Sequence, residues 1–215
     1  MKKLFLAIGL LLAIAGSALW IYLGQFAAPK FNVSLHRAVG RVMAEETANL
    51  VDSHGRIVVI AIDTPKTPEL RVQIEEFEKA LKPISGIRIE KTYMLDTEDK
   101  PKYGTGSGIS ARRFVRIVNK NTTVDAIVSF VGAPELKEDE IRELQARPKL
   151  IVEARSADKL KRLFDKQLLH VAIVSRFQFP DPVEGNPATP RQWFDKRFQI
   201  VRAEGAPALP ASGAE

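Results

Sequence analysis

The feature that most constrains the fold is a run of seven residues, "RIVVIAI" at 56–62, in which apolar side chains follow one another without alternation after a single arginine. A strand with one wet face alternates. An unbroken, β-branched run belongs to a strand buried on both faces, and such strands lie in parallel sheets covered by helices on either side. The device recurs in "VDAIVSFVG", "KLIVEA" and "HVAIVS", while "IRIEKTYML" alternates more, as an edge strand does. Between these runs lie segments of helical spacing. In "DTPKTPELRVQIEEFEKALKPISG", Leu70, Ile74, Phe77 and Leu81 share one face, Thr67 stands at the cap, Pro68 takes the first helical position, and Pro83 and Gly86 close the end. "SARRFVRIVNK", "ELKEDEIRELQA" and "SADKLKRLFDKQLL", the last capped by Ser156, read as three more helices. Right-handed crossovers applied to that alternation predict an α/β fold: a three-layer, doubly wound, mostly parallel five-stranded sheet of order 2-1-3-4-5.

Beyond the alternation, a proline-rich crossing leads to Thr189 and Gln192, spaced as a capping box around Pro190. A short helix with Trp193 and Phe194 and a last strand, "RFQIV", follow. The closing "AEGAPALPASGAE" has no periodicity and is expected to be disordered.

The N-terminus is of another kind. "MKK" precedes an uncharged apolar run at 4–23, which as a helix rises about 30 Å, the thickness of a bilayer's hydrocarbon core. A cleaved signal peptide has a shorter apolar region, about 7 to 15 residues, ending at a small-residue site. A cut after Ala15 leaves "GSALWIYLG" exposed, so an uncleaved transmembrane helix is expected, with Trp20 and Tyr22 at the far interface. Lys2 and Lys3 stand before the run and Lys30, Arg37 and Arg41 after it, so counting charges does not orient it. An export signal begins as "MKK" plus an apolar segment does, which puts the N-terminus in the cytoplasm. The chain then reads as a single-pass protein of a bacterial inner membrane with its folded domain in the periplasm. Gly9, Ala13 and Ser17 recur every four residues, either a ridge for packing two such helices or chance in an alanine-rich anchor.

After Pro29, "NVSLHRAVGRVMAEETANLVDSHG" starts a second helix, capped by Asn32 or Ser34, with Leu35, Val39, Val42, Met43, Leu50 and Val51 at helical spacing. It reads as a juxtamembrane amphipathic helix whose stripe needs a partner, either the domain or a second copy. The organisation expected is therefore a tip and anchor at 1–29, this helix at 30–55, the α/β domain at 56–202 and a tail at 203–215.

The succession "RIVVIAIDTPKTPELRVQIEEFEKAL", "TTVDAIVSFVGAPEL" and "LHVAIVSRF" resembles one lobe of the type I periplasmic solute-binding proteins and their repressor relatives. In that family a strand ends at a ligand-facing loop, a long helix follows, and a strand beginning with an Asp–Ala–Ile motif ends in a small-residue loop. The resemblance covers residues 56–177. It implies a ligand site between two lobes; this chain supplies one, so a clamshell is not expected within a single copy.

In an open α/β sheet, ligands bind beyond the carboxyl ends of the strands where the order reverses. Here that crevice falls between the loop at 63–67 and the loop at 131–135. Asp63, Thr64, Ser129 and Gly132 line it, with Arg155 and Arg176 at the ends of the fourth and fifth strands. Asp63 can hold a hydroxyl or cation, or cap its own loop. The arginines can grip a carboxylate or phosphate, or stand as solvated charges. The loop "YGTGSGIS", with Gly106 and Gly108, lacks the lysine of a phosphate loop and the spacing of a dinucleotide fingerprint. It offers backbone N–H groups before Arg112 and Arg113, an anion cradle or a mobile loop.

Other chemistry is thinly represented. The formal net charge of +6 comes from charges that alternate in sign along solvated helix faces, so no nucleic-acid partner is expected. Cysteine is absent, which excludes disulfides and thiolate chemistry. His36, His54 and His170 lie apart, with no ligand spacing between them. No catalytic residue, metal or cofactor is expected. The expected function is a membrane-anchored binding or scaffolding module, with a protein partner in the cell envelope, a further copy of itself or a small anionic solute as its partner. An anchored enzyme acting on an anionic substrate at the same crevice is the alternative.

Overall fold

The computed structural model describes residues 2–25, 31–62, 67–95, 109–154, 160–176 and 187–203. They form two compact units, residues 1–31 and 32–215. The first contains helix α1 (Lys2–Gln25), on which Phe5, Leu11, Leu12 and Trp20 are exposed. Among the described residues no helix is long and apolar enough to cross a membrane.

The second unit runs α2 (Val33–Leu50), β1 (Gly55–Ile62), α3 (Pro68–Leu81), β2 (Ile87–Leu95), α4 (Ala111–Lys120), β3 (Ala126–Ser129), α5 (Glu138–Arg142), β4 (Lys149–Ala154), α6 (Leu160–Asp165), β5 (Val171–Ser175), α7 (Pro190–Asp195) and β6 (Phe198–Arg202). The sheet order is β2-β1-β3-β4-β5-β6. The first five strands are parallel and follow the predicted order. The expected count of five is corrected to six, because "RFQIV" joins the sheet antiparallel to β5, from Val171 opposite Arg202 to Ser175 opposite Phe198. An antiparallel edge strand needs one covered face only, so its sequence lacks the unbroken apolar run that marked the others.

β1 behaves as its sequence demands: Ile57, Val58, Val59, Ile60 and Ala61 are all fully buried. Alternate residues feed two separate cores. Val58, Ile60, Ile127, Val152 and Val174 pack under α4, α5 and α6. Ile57, Val59, Val128, Ile151 and Ile173 pack under α2, α3 and α7. These are the three layers.

Helix α2 packs on the sheet. Ala38, Val39, Val42, Met43 and Ala44 are buried in the second core, so of its two open partners the helix takes the domain. The separate stretch at 30–55 is thereby merged into one unit that starts at Asn32. Asn32 is the cap, its Oδ1 accepting from Leu35 N at 3.0 Å. Close approach of α2 to α3 is possible because residue 40 is glycine: a Cβ there would lie 2.1 Å from the Gln73 carbonyl oxygen. Two buried carboxylates on this face are paired across elements, Glu76 with Arg41 at 2.6 Å and Glu46 with Arg202 at 2.6 Å.

Several ends differ from expectation. Thr67 stands at the N-cap of α3 without a side-chain cap bond, and α5 and α6 are shorter than their sequence periodicity. α6 stops because Gln167 adopts φ +56°, with Leu168 N donating to Leu163 O at 2.9 Å, a C-terminal closure usually given to glycine. The box at Thr189 forms as predicted: its hydroxyl accepts from Gln192 N, and Gln192 Oε1 accepts from Thr189 N. Phe194 is fully buried and stacks on Phe198 at 5.8 Å. Ser156 and the stretch at 204–215 lie outside the described residues.

Candidate functional site

The order of the sheet reverses between β1 and β3, as required for a crevice beyond their carboxyl ends. Of the two loops at that point, the one after β3 is among the described residues. Phe130 N continues the ladder by donating to Ile60 O at 2.9 Å, and the chain then folds back on itself. Ser129, fully buried, donates its hydroxyl to Gly132 O at 2.7 Å and accepts from Val131 N. Gly132 is buried at φ +92°, a conformation that a side chain would strain. Ser129 therefore braces the loop that holds Gly132.

Of the other residues placed at this end by sequence, Arg176 is engaged. Its Nε donates to Asp195 O at 2.6 Å, and its backbone N–H donates to Arg197 O at 2.9 Å, which ties the end of β5 to the turn between α7 and β6. Asp63, Thr64, Gly106, Gly108 and Arg155 lie outside the described residues, as do most of the loops leaving β1, β2, β4 and β5. Arg112 is exposed and Arg113 half-buried in the first turn of α4. Trp193 is half-buried against the second core, with Lys196 Nζ 5.9 Å from its ring centre.

The histidines do not meet. His36 Nδ1 lies 3.1 Å from Gln73 Nε2, and His54 Nδ1 lies 3.0 Å from Asp52 O. His170 Nδ1 accepts from Leu150 N at 3.2 Å, which assigns the proton of the neutral ring to Nε2. Burial lowers the pKa of His36 and, with Lys149 nearby, that of His170. Among the described residues no cluster of three His, Asp or Glu is placed to hold a metal ion.

Concavities lined by described residues include two that lie away from the loop after β3. The smaller, about 230 Å³, lies between α2, α3 and the start of α7, with Arg37, Arg41 and Trp193 on its wall. The larger, about 500 Å³, lies at the amino ends of the strands, where α2 ends, β5 starts and β6 finishes. Glu46, Asn49, Gln167, His170 and Arg202 contribute its polar groups, and Phe164, Leu169 and Val171 its apolar floor. Sequence reasoning passed over these residues. A signal was present: Glu46 sits four residues after Val42 and three after Met43, inside the apolar stripe, where an unpaired carboxylate is costly.

The described sheet, with helices on both faces, is an arrangement found in the solute-binding proteins. No protein-family model and no curated protein matches the sequence. Solved structures do match its shape. The glucose-galactose binding protein GanP from Geobacillus stearothermophilus aligns at 11% identity over 79% of this chain and 60% of its own, with a TM-score of 0.52. The arabinose binding protein AraP from the same organism gives 13%, 82%, 63% and 0.55. A chain of the XylFII-LytSN complex gives 12%, 79%, 60% and 0.52. The likeness is one of fold, that of the type I solute-binding proteins, and the chain spans less than two thirds of the length of each.

Proposed function

We propose that this chain is a membrane-tethered binding module, held in a bacterial inner membrane by α1 with its α/β unit on the periplasmic side. It recognises a small solute or an envelope protein at the carboxyl ends of its strands. The observation that carries this reading is the sheet: the order β2-β1-β3-β4-β5 with helices on both faces, shared in shape with sugar-binding proteins. The complex of XylFII with LytSN supports a protein partner as a use to which this fold is put. The tether is supported by the length and apolarity of the run at 4–23, whose roughly 30 Å rise matches a bilayer core.

The crevice reading is tested by titrating the full chain in detergent with D-glucose, D-galactose, D-arabinose and their carboxylate derivatives, and by crosslinking in intact membranes. Saturable binding that is lost in Asp63→Ala or Arg155→Ala supports a solute; a specific crosslinked protein, lost in the same variants, supports a partner. Neither signal, or signals indifferent to both substitutions, overturns the crevice as the site of recognition.

A further inference from the structure

Helix α4 breaks the alternation of charge that holds along the other helices. From Ile109 to Val124 the sequence carries four cations, Arg112, Arg113, Arg116 and Lys120, and no acidic residue. The helix turns Phe114, Val115, Ile117 and Val118 into the first core, which leaves its outer flank to the charges. Arg112, Arg116 and Lys120 follow one another at four-residue spacing, neighbours along one side of a helix at intervals of about 6 Å. All three are exposed, and among the described residues none of their side chains meets a carboxylate. Several cations elsewhere on the surface are answered: Lys161 by Asp165 at 3.1 Å, Lys166 by Glu138 at 2.9 Å and Arg191 by Asp195 at 3.1 Å.

Strand β2 extends this patch. Asn121, at the C-cap of α4, donates to the Tyr93 hydroxyl at 2.9 Å, and Lys91 Nζ stands 4.7 Å from the centre of that ring. Another exposed cation without a carboxylate partner thus lies beside the end of the row. On the other flank α5 sets the limit: Asn119 donates to Glu143 O at 2.9 Å, and Glu138, Asp139 and Glu140 open that helix. Charge complementarity calls for a polyanion lying along α4 and β2. A protein interface is fixed by apolar anchors, and α4 spends its apolar residues on the core. A small anion needs a pocket, and no α4 residue lines either concavity described above. A flat array of phosphates fits a flat row of cations. Four such charges hold weakly by themselves, but a tethered unit meets the adjacent leaflet at high effective concentration.

We propose that the face formed by α4 and β2 is a docking surface for an anionic bilayer, against whose headgroups the α/β unit rests. The proposal rests on the membrane tether inferred above. Arg112, Arg116 and Lys120 engage lipid phosphates in a row, Lys91 adds to one flank, and the acidic start of α5 lies outside the contact. Each cation near an anionic leaflet favours the docked state about fivefold, an attraction screened within a Debye length. Docking therefore follows lipid charge and ionic strength.

The chain contains no cysteine, so a single one can be placed for labelling. Thr122→Cys, exposed in the turn after α4, carries a donor dye; Glu45→Cys, exposed on α2 in the opposite layer, carries it in the control. The full chain is reconstituted into phosphatidylcholine vesicles holding a headgroup-labelled acceptor lipid, with or without about 30% phosphatidylglycerol. Energy transfer from residue 122 is expected to rise with the anionic lipid and to return to its neutral value in about 1 M salt, where the Debye length is about 3 Å. Transfer from residue 45 is expected not to rise. The triple variant Arg112→Gln, Arg116→Gln, Lys120→Gln gives up roughly a hundredfold in docking and should show the neutral value. Arg112→Lys with Arg116→Lys should keep the rise, since a bilayer reads charge and not the guanidinium fork. Should the triple variant fail to fold, the lipid and salt comparisons on the unsubstituted row decide. The proposal is overturned if transfer from residue 122 is alike in both lipids, persists in high salt or survives the triple substitution. Transfer indifferent to lipid charge, with salt-sensitive binding of a polyglutamate peptide or DNA that the triple variant loses, also overturns it and gives the row to a soluble polyanion. Flotation with neutral vesicles in high salt separates this reading from the tether. A chain that floats without any effect of lipid charge sinks the docking alone; one that does not float sinks the tether and the docking with it.

Discussion

Gly40 shows how one missing side chain sets a helix interface. With the Gln73 carbonyl 2.1 Å from where a Cβ would stand, and with that contact made by backbone, alanine forces α2 and α3 apart. Gly40→Ala is expected to lower unfolding free energy by about 1–3 kcal/mol, the usual range for overpacking, in denaturant titrations followed by far-UV circular dichroism. An unchanged midpoint would mean that the helices are not so closely apposed. His36 and His170 act through protons instead. Burial holds both below the ordinary 6.5, so on acidification the unfolded chain takes up protons that the folded chain refuses. Their contribution to stability is full above about pH 6.5 and is lost as the pH falls toward the lowered folded values. Urea midpoints measured between roughly pH 5 and 8 should fall on the acid side, and His36→Gln should flatten part of that slope.

At the scale of elements, α2 is a core helix of the α/β unit. Met43 is fully buried against the sheet, whereas Glu45 on the same helix is exposed. Met43→Ala should cost about 2–5 kcal/mol and Glu45→Ala less than about 0.5 kcal/mol in the same denaturation experiment. A helix not packed on the sheet would make the two variants alike. The parallel strands were legible because burial on both faces leaves a signature that needs no knowledge of the partner. The partner of α2 was not legible, since an apolar stripe states that something covers it without stating what. The same limit hid β6 in the sheet, whose half-buried residues resemble those of any edge. Topology put Gly132 in the loop after β3; that Ser129 and Arg176 hydrogen-bond to nearby backbone carbonyls is something spacing alone does not reveal. Glu46 was readable as an anomaly in its stripe; its pairing with a residue 156 positions away was not.

For the molecule as a whole, the membrane reading has a direct check. The full chain should stay in the pellet after alkaline carbonate extraction, and a C-terminal alkaline phosphatase fusion should be active only if that end has been exported. Release by carbonate would remove the tether; activity from a cytoplasmic reporter alone would reverse the topology. The ion pair between Glu46 and Arg202 reaches from the first helix of the α/β unit to its last strand, and Phe194 adds a late aromatic to the core that α2 covers early in the sequence. Synthesis delivers these parts at opposite times. The emerging polypeptide therefore keeps its first helix only partly sheltered until the residues of α7 and β6 have been made.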